Sequence, residues 1–166
     1  MFKKCRNILR NEKGLTLIEL LAVVVILGII AAIAVPSIGG LIDNSKKDAH
    51  LANAQQMISS TKLAVISDPS LQPAANGSKY ISLKYLIDKG YIEEIKDPHN
   101  GTYSTLTEAQ TEFTSDEAGN SYVKVTADST GAKYSYSVKL VNGTSNSARG
   151  IISETLEKDL TRTSVN

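Results

Sequence analysis

Hydrophobic and polar positions divide the chain at about residue 36. Residues 15–35 form an almost unbroken apolar run, in which Glu19 is the single charge. A helix of that length spans about 30 Å at 1.5 Å per residue, which matches the hydrocarbon core of a bilayer. Pro36 follows the run, and a proline within a helix removes a backbone donor and clashes with the preceding turn. The pattern therefore predicts a membrane-spanning helix over residues 15–36, kinked at Pro36 and weakened upstream by Gly28.

Beyond the proline, residues 37–67 change to an amphipathic pattern. Apolar residues recur there at steps of three and four, which is typical of a helix with one buried face. Asp68-Pro69 ends the pattern. We therefore expect one helix to continue from the apolar run and to lay its apolar face on a sheet. The apolar positions are Ile38, Leu41, Ile42, Ala49, Ala52, Met57, Ile58, Ala64 and Val65.

The remaining residues predict a connecting loop and a small sheet. Residues 68–101 form the loop, with a short helix over residues 81–92 that Gly90 caps and a turn at Asp97-Pro98. Residues 102–166 contain two alternating segments, 121–127 and 133–141, joined by a hairpin loop over residues 128–132. Residues 102–106 and 150–153 are weaker strand candidates, and residues 156–165 show no clear period. The predicted fold class is α+β, with three or four antiparallel strands packed on the long helix.

Charge is concentrated at the start of the chain. The first 14 residues contain five basic residues and one acid, whereas the rest carries a net charge of −3. A basic flank before a membrane helix keeps the N-terminus in the cytoplasm and predicts export of the C-terminal part. An acidic remainder has no general attraction for nucleic acid, and no basic patch is visible. Cys5 lies in the basic flank, so a chain trimmed after residue 14 has no thiol.

Three ordinary interpretations of the apolar run compete at this point. A buried core helix is disfavoured, because so small a domain could hardly cover it on all sides. A secretory signal peptide also has a basic start, and residues 31–34 imitate its small-residue cleavage site, but its apolar core should be only about 7–15 residues long. The third interpretation is a plain single-pass anchor.

The segment Lys13-Gly14-Leu15-Thr16-Leu17-Ile18-Glu19 separates these interpretations. It resembles the prepilin processing motif of type IV pilins and their relatives. The resemblance implies that a membrane peptidase cuts after Gly14, that Leu15 becomes the methylated N-terminal residue, and that Glu19 guides assembly. Most members have phenylalanine where this chain has Leu15. The resemblance covers mainly residues 13–40, about a sixth of the chain.

The same resemblance bears on two further segments. In type IV pilins a glycine and a proline bracket a stretch that unwinds in the filament, and Gly28 and Pro36 match that pattern. An ordinary kinked membrane helix is an equal alternative. Residues 83–101 are similar to the connecting loop of pilins and of the major pseudopilins of type II secretion systems.

The sequence shows no catalytic constellation. No serine lies in a glycine-flanked nucleophile motif, and no glycine loop has phosphate-binding spacing. His50 and His99 are isolated in the sequence, so we expect ordinary packing or surface histidines, no metal site and no cofactor. Turn formation explains the three Asn-Gly-Ser/Thr triplets better than glycosylation. Acids and amides that offer oxygen ligands to calcium fit no loop rule, and solvated turns explain them better: Asp116, Glu117, Asn120 and Asp128.

These observations predict a structural subunit rather than an enzyme. The expected function is the major pilin of a type IV pilus; the alternative is the major pseudopilin of a type II secretion or competence pseudopilus. A membrane-anchored exported enzyme or binding domain is disfavoured by the absence of a reactive cluster. The expected partners are copies of the same chain, the prepilin peptidase, the pilus assembly machinery and, before assembly, the cytoplasmic membrane. A surface filament follows assembly, and the lack of a mature cysteine fits a Gram-positive source.

Overall fold

A computed structural model describes residues 16–99, 101–105, 119–143 and 150–166. Its first element, α1, is a 51-residue helix over Leu17–Ser67. The chain divides into two compact units, Met1–Ile42 and Asp43–Asn166, and each is described by itself. We call them the first and the second unit. The predicted processing residues Gly14 and Leu15 lie outside the described residues.

In the first unit α1 is apolar on all sides. Its large apolar side chains are 48–85% exposed, from Val23 at the low end to Leu17 at the high end. A helix that is hydrophobic all round is stable only in an apolar environment or under the cover of other chains. The helix assignment continues through Pro36, so the kink and the unwinding between Gly28 and Pro36 stay predictions.

In the second unit α1 is amphipathic, but its buried face differs in part from the predicted one. Ala52 is exposed, and Ala54, two residues further on, is completely buried instead. The polar residues His50 and Thr61 also lie on the buried face. The helix ends at Ser67, as Asp68-Pro69 predicted. The buried residues are His50, Ala54, Met57, Ile58, Thr61, Ala64 and Val65.

The sheet confirms the predicted α+β class. Four antiparallel strands lie in the order β1-β4-β5-β6, and a separate pair consists of β2 and β3. Val123 and Val138 are opposite one another in the central strands and are fully buried. With α1 they form the apolar core of the second unit. The strands are β1 (Ser78–Ser82), β2 (Lys96–Asp97), β3 (Gly101–Thr102), β4 (Tyr122–Ala127), β5 (Tyr134–Leu140) and β6 (Ile152–Leu156).

The connecting segment begins differently from the prediction. The predicted helix started at residue 81, but Ile81 belongs to β1 and is opposite Val123. The helix α2 covers only Leu83–Asp88, and the Ser82 hydroxyl caps it by accepting a hydrogen bond from the Tyr85 N–H. Gly90 follows with φ +74°, which agrees with the predicted glycine cap.

The last strand and the tail extend beyond the prediction. β6 continues to Leu156, whereas the sequence indicated a strand only as far as residue 153. The tail then forms two short 3-10 helices, Glu157–Asp159 and Arg162–Ser164. Arg162 makes a bidentate ion pair with Asp48 of α1, with N–O distances of 2.7 and 2.6 Å. The tail without a clear period is therefore held against α1 by a long-range contact.

Candidate functional site

The start of α1 carries a capping box made by Thr16 and Glu19. The Glu19 Oε2 accepts hydrogen bonds from the Thr16 N–H at 2.8 Å and from the Thr16 hydroxyl at 2.6 Å. The Glu19 N–H donates to the Thr16 Oγ1 at 3.3 Å. Such a box satisfies backbone donors that have no partner within the helix. The predicted assembly residue therefore has a role within its own chain.

The helix that follows is long and apolar enough to cross a membrane, by length and composition. Gly28 lies in open space, because a Cβ added there would meet nothing within 4 Å. Ala34 is the one residue between 16 and 42 that is only partly exposed; the others are exposed. The described part of this unit offers one continuous apolar surface, with Glu19 as its polar starting point.

A second cluster lies inside the second unit, where two histidines and an aspartate meet. His50 comes from α1, Asp97 ends β2, and His99 follows in the turn between β2 and β3. The His50 Nε2 is 2.9 Å from the His99 Nδ1 and 3.5 Å from the Asp97 Oδ1. The His99 Nδ1 lies 3.8 Å from that same oxygen. The side chains of His50 and Asp97 are inaccessible to solvent, and that of His99 is 14% exposed.

Polar contacts fix the orientation of this cluster. The Tyr103 hydroxyl lies 2.6 Å from the His50 Nδ1 and accepts a hydrogen bond from the Asn53 amide at 3.0 Å. The Asp97 Oδ1 accepts the His99 N–H at 2.8 Å. Burial raises the pKa of Tyr103 to about 12, and the negative charge of Asp97 acts in the same direction, against the hydrogen bond from Asn53. The phenol is therefore protonated at any physiological pH.

The charge state of His50 follows from its surroundings. Burial lowers the pKa of His50 below its ordinary value, and the neighbouring His99 and Lys46 act in the same direction, while Asp97 opposes them. The imidazole is therefore neutral near pH 7. A neutral imidazole has a free ring nitrogen with which it can accept a hydrogen bond or bind a metal ion.

His50 and His99 are isolated in the sequence, and the structure brings them together. A motif of neighbouring residues cannot indicate this cluster, because the two histidines lie 49 positions apart in the sequence. One signal was present: His50 is in line with the buried face of α1, four residues before Ala54. A polar residue on an apolar helix face requires a partner from elsewhere in the chain.

Comparison with known proteins gives one family match and one similar protein. A family described as the prokaryotic N-terminal methylation motif matches residues 9–35. The type II secretion system core protein G of Klebsiella michiganensis is 25% identical over 118 residues, which cover 61% of this chain and 78% of that protein. No solved structure is significantly similar to the chain.

The leader motif, the apolar helix and the antiparallel sheet define a filament-forming class of protein. The matched motif and the similar secretion protein support a type IV pilin or pseudopilin family for this chain. Proteins of this type are processed by the prepilin peptidase through the leader motif and assemble into filaments. The long apolar helix is consistent with anchoring in the membrane before assembly.

Proposed function

We propose that this protein is the major structural subunit of a type IV pilus, cleaved after Gly14 and assembled through its N-terminal helix. The observation that carries the proposal is the uncovered apolar surface of residues 17–42 in the first unit. Removing the leader deletes five basic residues that hold the helix at the cytoplasmic face. What remains is an apolar rod that can leave the bilayer and pack against copies of itself.

Apolar and polar residues contribute differently when the helix moves from the membrane into a filament. Moving the helix from lipid into a filament core exchanges one apolar environment for another, so the hydrophobic effect supplies little net driving force. Packing alone also leaves many axial registers similar in energy. A polar pair can select one of them. The amine freed at Leu15 and the carboxylate of Glu19 on a neighbouring subunit attract by about 4 kcal/mol at ~4 Å and an effective dielectric constant near 20, before desolvation is subtracted.

A pseudopilin of a secretion or competence system is the second candidate. Its specific support is the relative named above, which is a type II secretion system core protein. The strand β2 and the start of β3 lie in the segment that is similar to the connecting loop of the major pseudopilins. Both candidates use the same processing and the same helix, and they differ in the length and the task of the filament.

Sheared cell-surface material tests the proposal by electron microscopy and intact-mass measurement. We expect long filaments whose subunit begins at Leu15, with the mass of a methylated amine. A subunit that retains Met1, or that begins near Val35, would contradict the processing step. Long filaments on wild-type cells support the pilus. Loss of protein secretion in a deletion strain, without surface filaments at native expression, favours the pseudopilus.

A pair of leader variants isolates the cleavage step. Gly14→Trp places a bulky side chain where the backbone must lie close in an extended protease groove, so uncut precursor should accumulate in the membrane. Asn11→Trp puts the same side chain three residues earlier and should be processed normally. Equal processing of the two variants would show that the cut does not depend on Gly14.

A further inference from the structure

We propose that the second unit binds a divalent transition-metal ion, best matched by zinc, between the His50 Nε2, the His99 Nδ1 and the Asp97 carboxylate. This site consists of residues of the second unit alone and does not depend on the proposed function. Three protein ligands from α1 and the β2–β3 hairpin meet there, and two of them are inaccessible to solvent.

The distances between the ligand atoms suit a tetrahedral ion. Zinc binds imidazole nitrogen at 2.0–2.1 Å and carboxylate oxygen at about the same distance, so the ligand atoms around it lie about 3.3 Å apart. In this cluster the three separations are 2.9, 3.5 and 3.8 Å. These values lie on both sides of the tetrahedral distance, and movements of a few tenths of an ångström would bring the atoms onto one ion.

The donor types select the kind of ion. Two imidazoles and one carboxylate are ligands that zinc accepts in proteins. Calcium and magnesium prefer sets made of oxygen alone, whereas imidazole suits zinc, copper, iron and nickel. The cluster therefore indicates a transition-metal ion and not an alkaline-earth ion.

The Asp97 carboxylate supplies an independent indication. Its Oδ2 is buried and accepts no hydrogen bond from the described residues. An unsatisfied buried acceptor is costly, and a charged one more so. The other oxygen already accepts the His99 N–H. A cation bound at the Oδ1 would offset the electrostatic cost of burying the carboxylate.

The surroundings of His50 prepare it as a ligand. Histidines that bind metals usually direct their second ring nitrogen to a fixed hydrogen-bond partner, and here the Tyr103 hydroxyl contacts the Nδ1 at 2.6 Å. Gly150 packs against the other edge of the ring, and only glycine fits there, because a Cβ at that position would lie 2.3 Å from the Nε2. The Tyr103 hydroxyl thus orients the ring, and the glycine at position 150 avoids a steric clash with the ligating nitrogen.

Entry and the fourth ligand position come from the His99 side. A small cleft of about 120 Å³ is lined by Asp43, Lys47, His99 and Asn166. It is large enough for water molecules, so water can complete the tetrahedron. Asp43 favours a cation in this cleft, whereas Lys47 at its edge and Lys46 near His50 oppose one.

Bound metal would join α1 to the β2–β3 hairpin across more than 45 residues of sequence. A chain trimmed after residue 14 has no cysteine and cannot form a disulfide there. Metal binding to the folded state adds stability by mass action, because the unfolded chain lacks a preformed site. The ion would therefore act as a cross-link within the second unit.

The test uses the full chain in detergent, purified without a histidine tag and stripped with EDTA. Zinc should bind with one ion per chain in calorimetry. It should also raise the Tm by roughly 5–15 °C at a hundredfold excess over its Kd. Cobalt(II) should give the intense visible absorption of a tetrahedral complex. No zinc binding, or a cobalt spectrum of octahedral type, would overturn the proposal.

Three variants assign the ligands. His99→Ala alters the most exposed ligand and should weaken zinc binding by more than about 100-fold while melting like wild type in EDTA. Tyr103→Phe removes a contact to a ligand and should weaken binding by about 10–100-fold. Lys47→Ala, in the same cleft, should keep the affinity or improve it. Equal zinc affinity of His99→Ala and wild type would mean adventitious surface binding, with the histidines forming only a hydrogen-bond chain.

Discussion

Two partners compete for the carboxylate of Glu19. Within the chain it closes the capping box with Thr16, and a box of this kind stabilises the first turn of a helix. In the proposed filament it pairs with the amine of Leu15 on a neighbouring subunit. If the capping role dominates, substitution of Thr16 and of Glu19 should reduce filament yield equally. If the pairing with Leu15 dominates, substitution of Glu19 should reduce it more.

Parallel substitutions separate the two roles. Glu19→Ala should leave membrane insertion and leader cleavage largely intact but abolish or sharply reduce filaments. Thr16→Ala, the matched control, removes the capping hydroxyl at a cost of about 0.5–2 kcal/mol and should still yield filaments. Filament yield is counted in sheared material by electron microscopy. Equal losses in both variants would reduce Glu19 to a capping residue, and normal filaments in Glu19→Ala would remove its assembly role.

The residues of the histidine cluster mark a limit of sequence reasoning. Gly14, Leu15 and Glu19 belong to a local motif, so spacing along the chain was enough to identify them as candidates. His50 and His99 form a cluster only when the β2–β3 hairpin packs beside α1. That packing depends on long-range contacts, which no window of neighbouring residues contains.

At the level of elements, the β4–β5 hairpin was predicted well and β1 was not. Val123, Val125 and Ala127 alternate with less buried residues, and a turn sequence follows them. In β1 the segment Ser78–Ser82 is short and continues directly into α2. Its burial does not alternate, and so short a segment cannot be distinguished by its period from the helix that follows.

The Asp128 carboxylate organises the β4–β5 turn. Its Oδ1 accepts hydrogen bonds from the N–H groups of Thr130 and Ala132 and from the Thr130 hydroxyl. The Thr130 hydroxyl bond, followed by backbone N–H bonds, lowers the pKa of Asp128 below its ordinary value of 3.8. Because the pKa is lowered in the folded state, the ionised carboxylate stabilises the fold, and this stabilisation is fully present at pH values above the ordinary pKa. The contribution is lost as the pH falls through the lowered pKa.

Asp128→Asn tests this turn by thermal unfolding of the full chain in detergent at several pH values. The substitution keeps an acceptor oxygen but removes the charge that titrates. Wild type should melt higher than the variant at pH 6, and the difference should shrink below about pH 4. A difference in Tm that stays constant from pH 6 to about pH 2 would mean that the charge contributes nothing to the turn.

On the scale of the whole molecule, the two units depend on different surroundings. The first unit exposes its apolar residues, whereas the second buries its own core between α1 and the sheet. Stability of an isolated subunit in detergent should therefore depend on the core of the second unit and hardly on apolar residues at its surface.

Two leucines provide a matched comparison of these environments. Leu140 is fully buried in β5, and Leu63 on α1 is 54% exposed. Leu140→Ala should lower the free energy of unfolding by about 2–5 kcal/mol, whereas Leu63→Ala should change it by less than about 0.5 kcal/mol. Urea unfolding measures both values in the full chain. Equal costs would mean that the assigned core is wrong.

The strand β6 lies at the edge of the sheet, and such an edge matters when many subunits are packed together. An edge strand offers unpaired backbone groups that another chain can capture, and packing many subunits side by side raises their local concentration greatly. Here Val165 bridges Ile152, the Gly150 N–H donates to the Asn166 carbonyl at 2.7 Å, and the Asn166 N–H donates to the Ile151 carbonyl at 3.1 Å. The start of the β6 edge is thus occupied by the chain's own tail. Neighbouring copies therefore cannot add a strand there, which protects the start of β6 against cross-strand aggregation when subunits of the proposed filament are packed at high concentration.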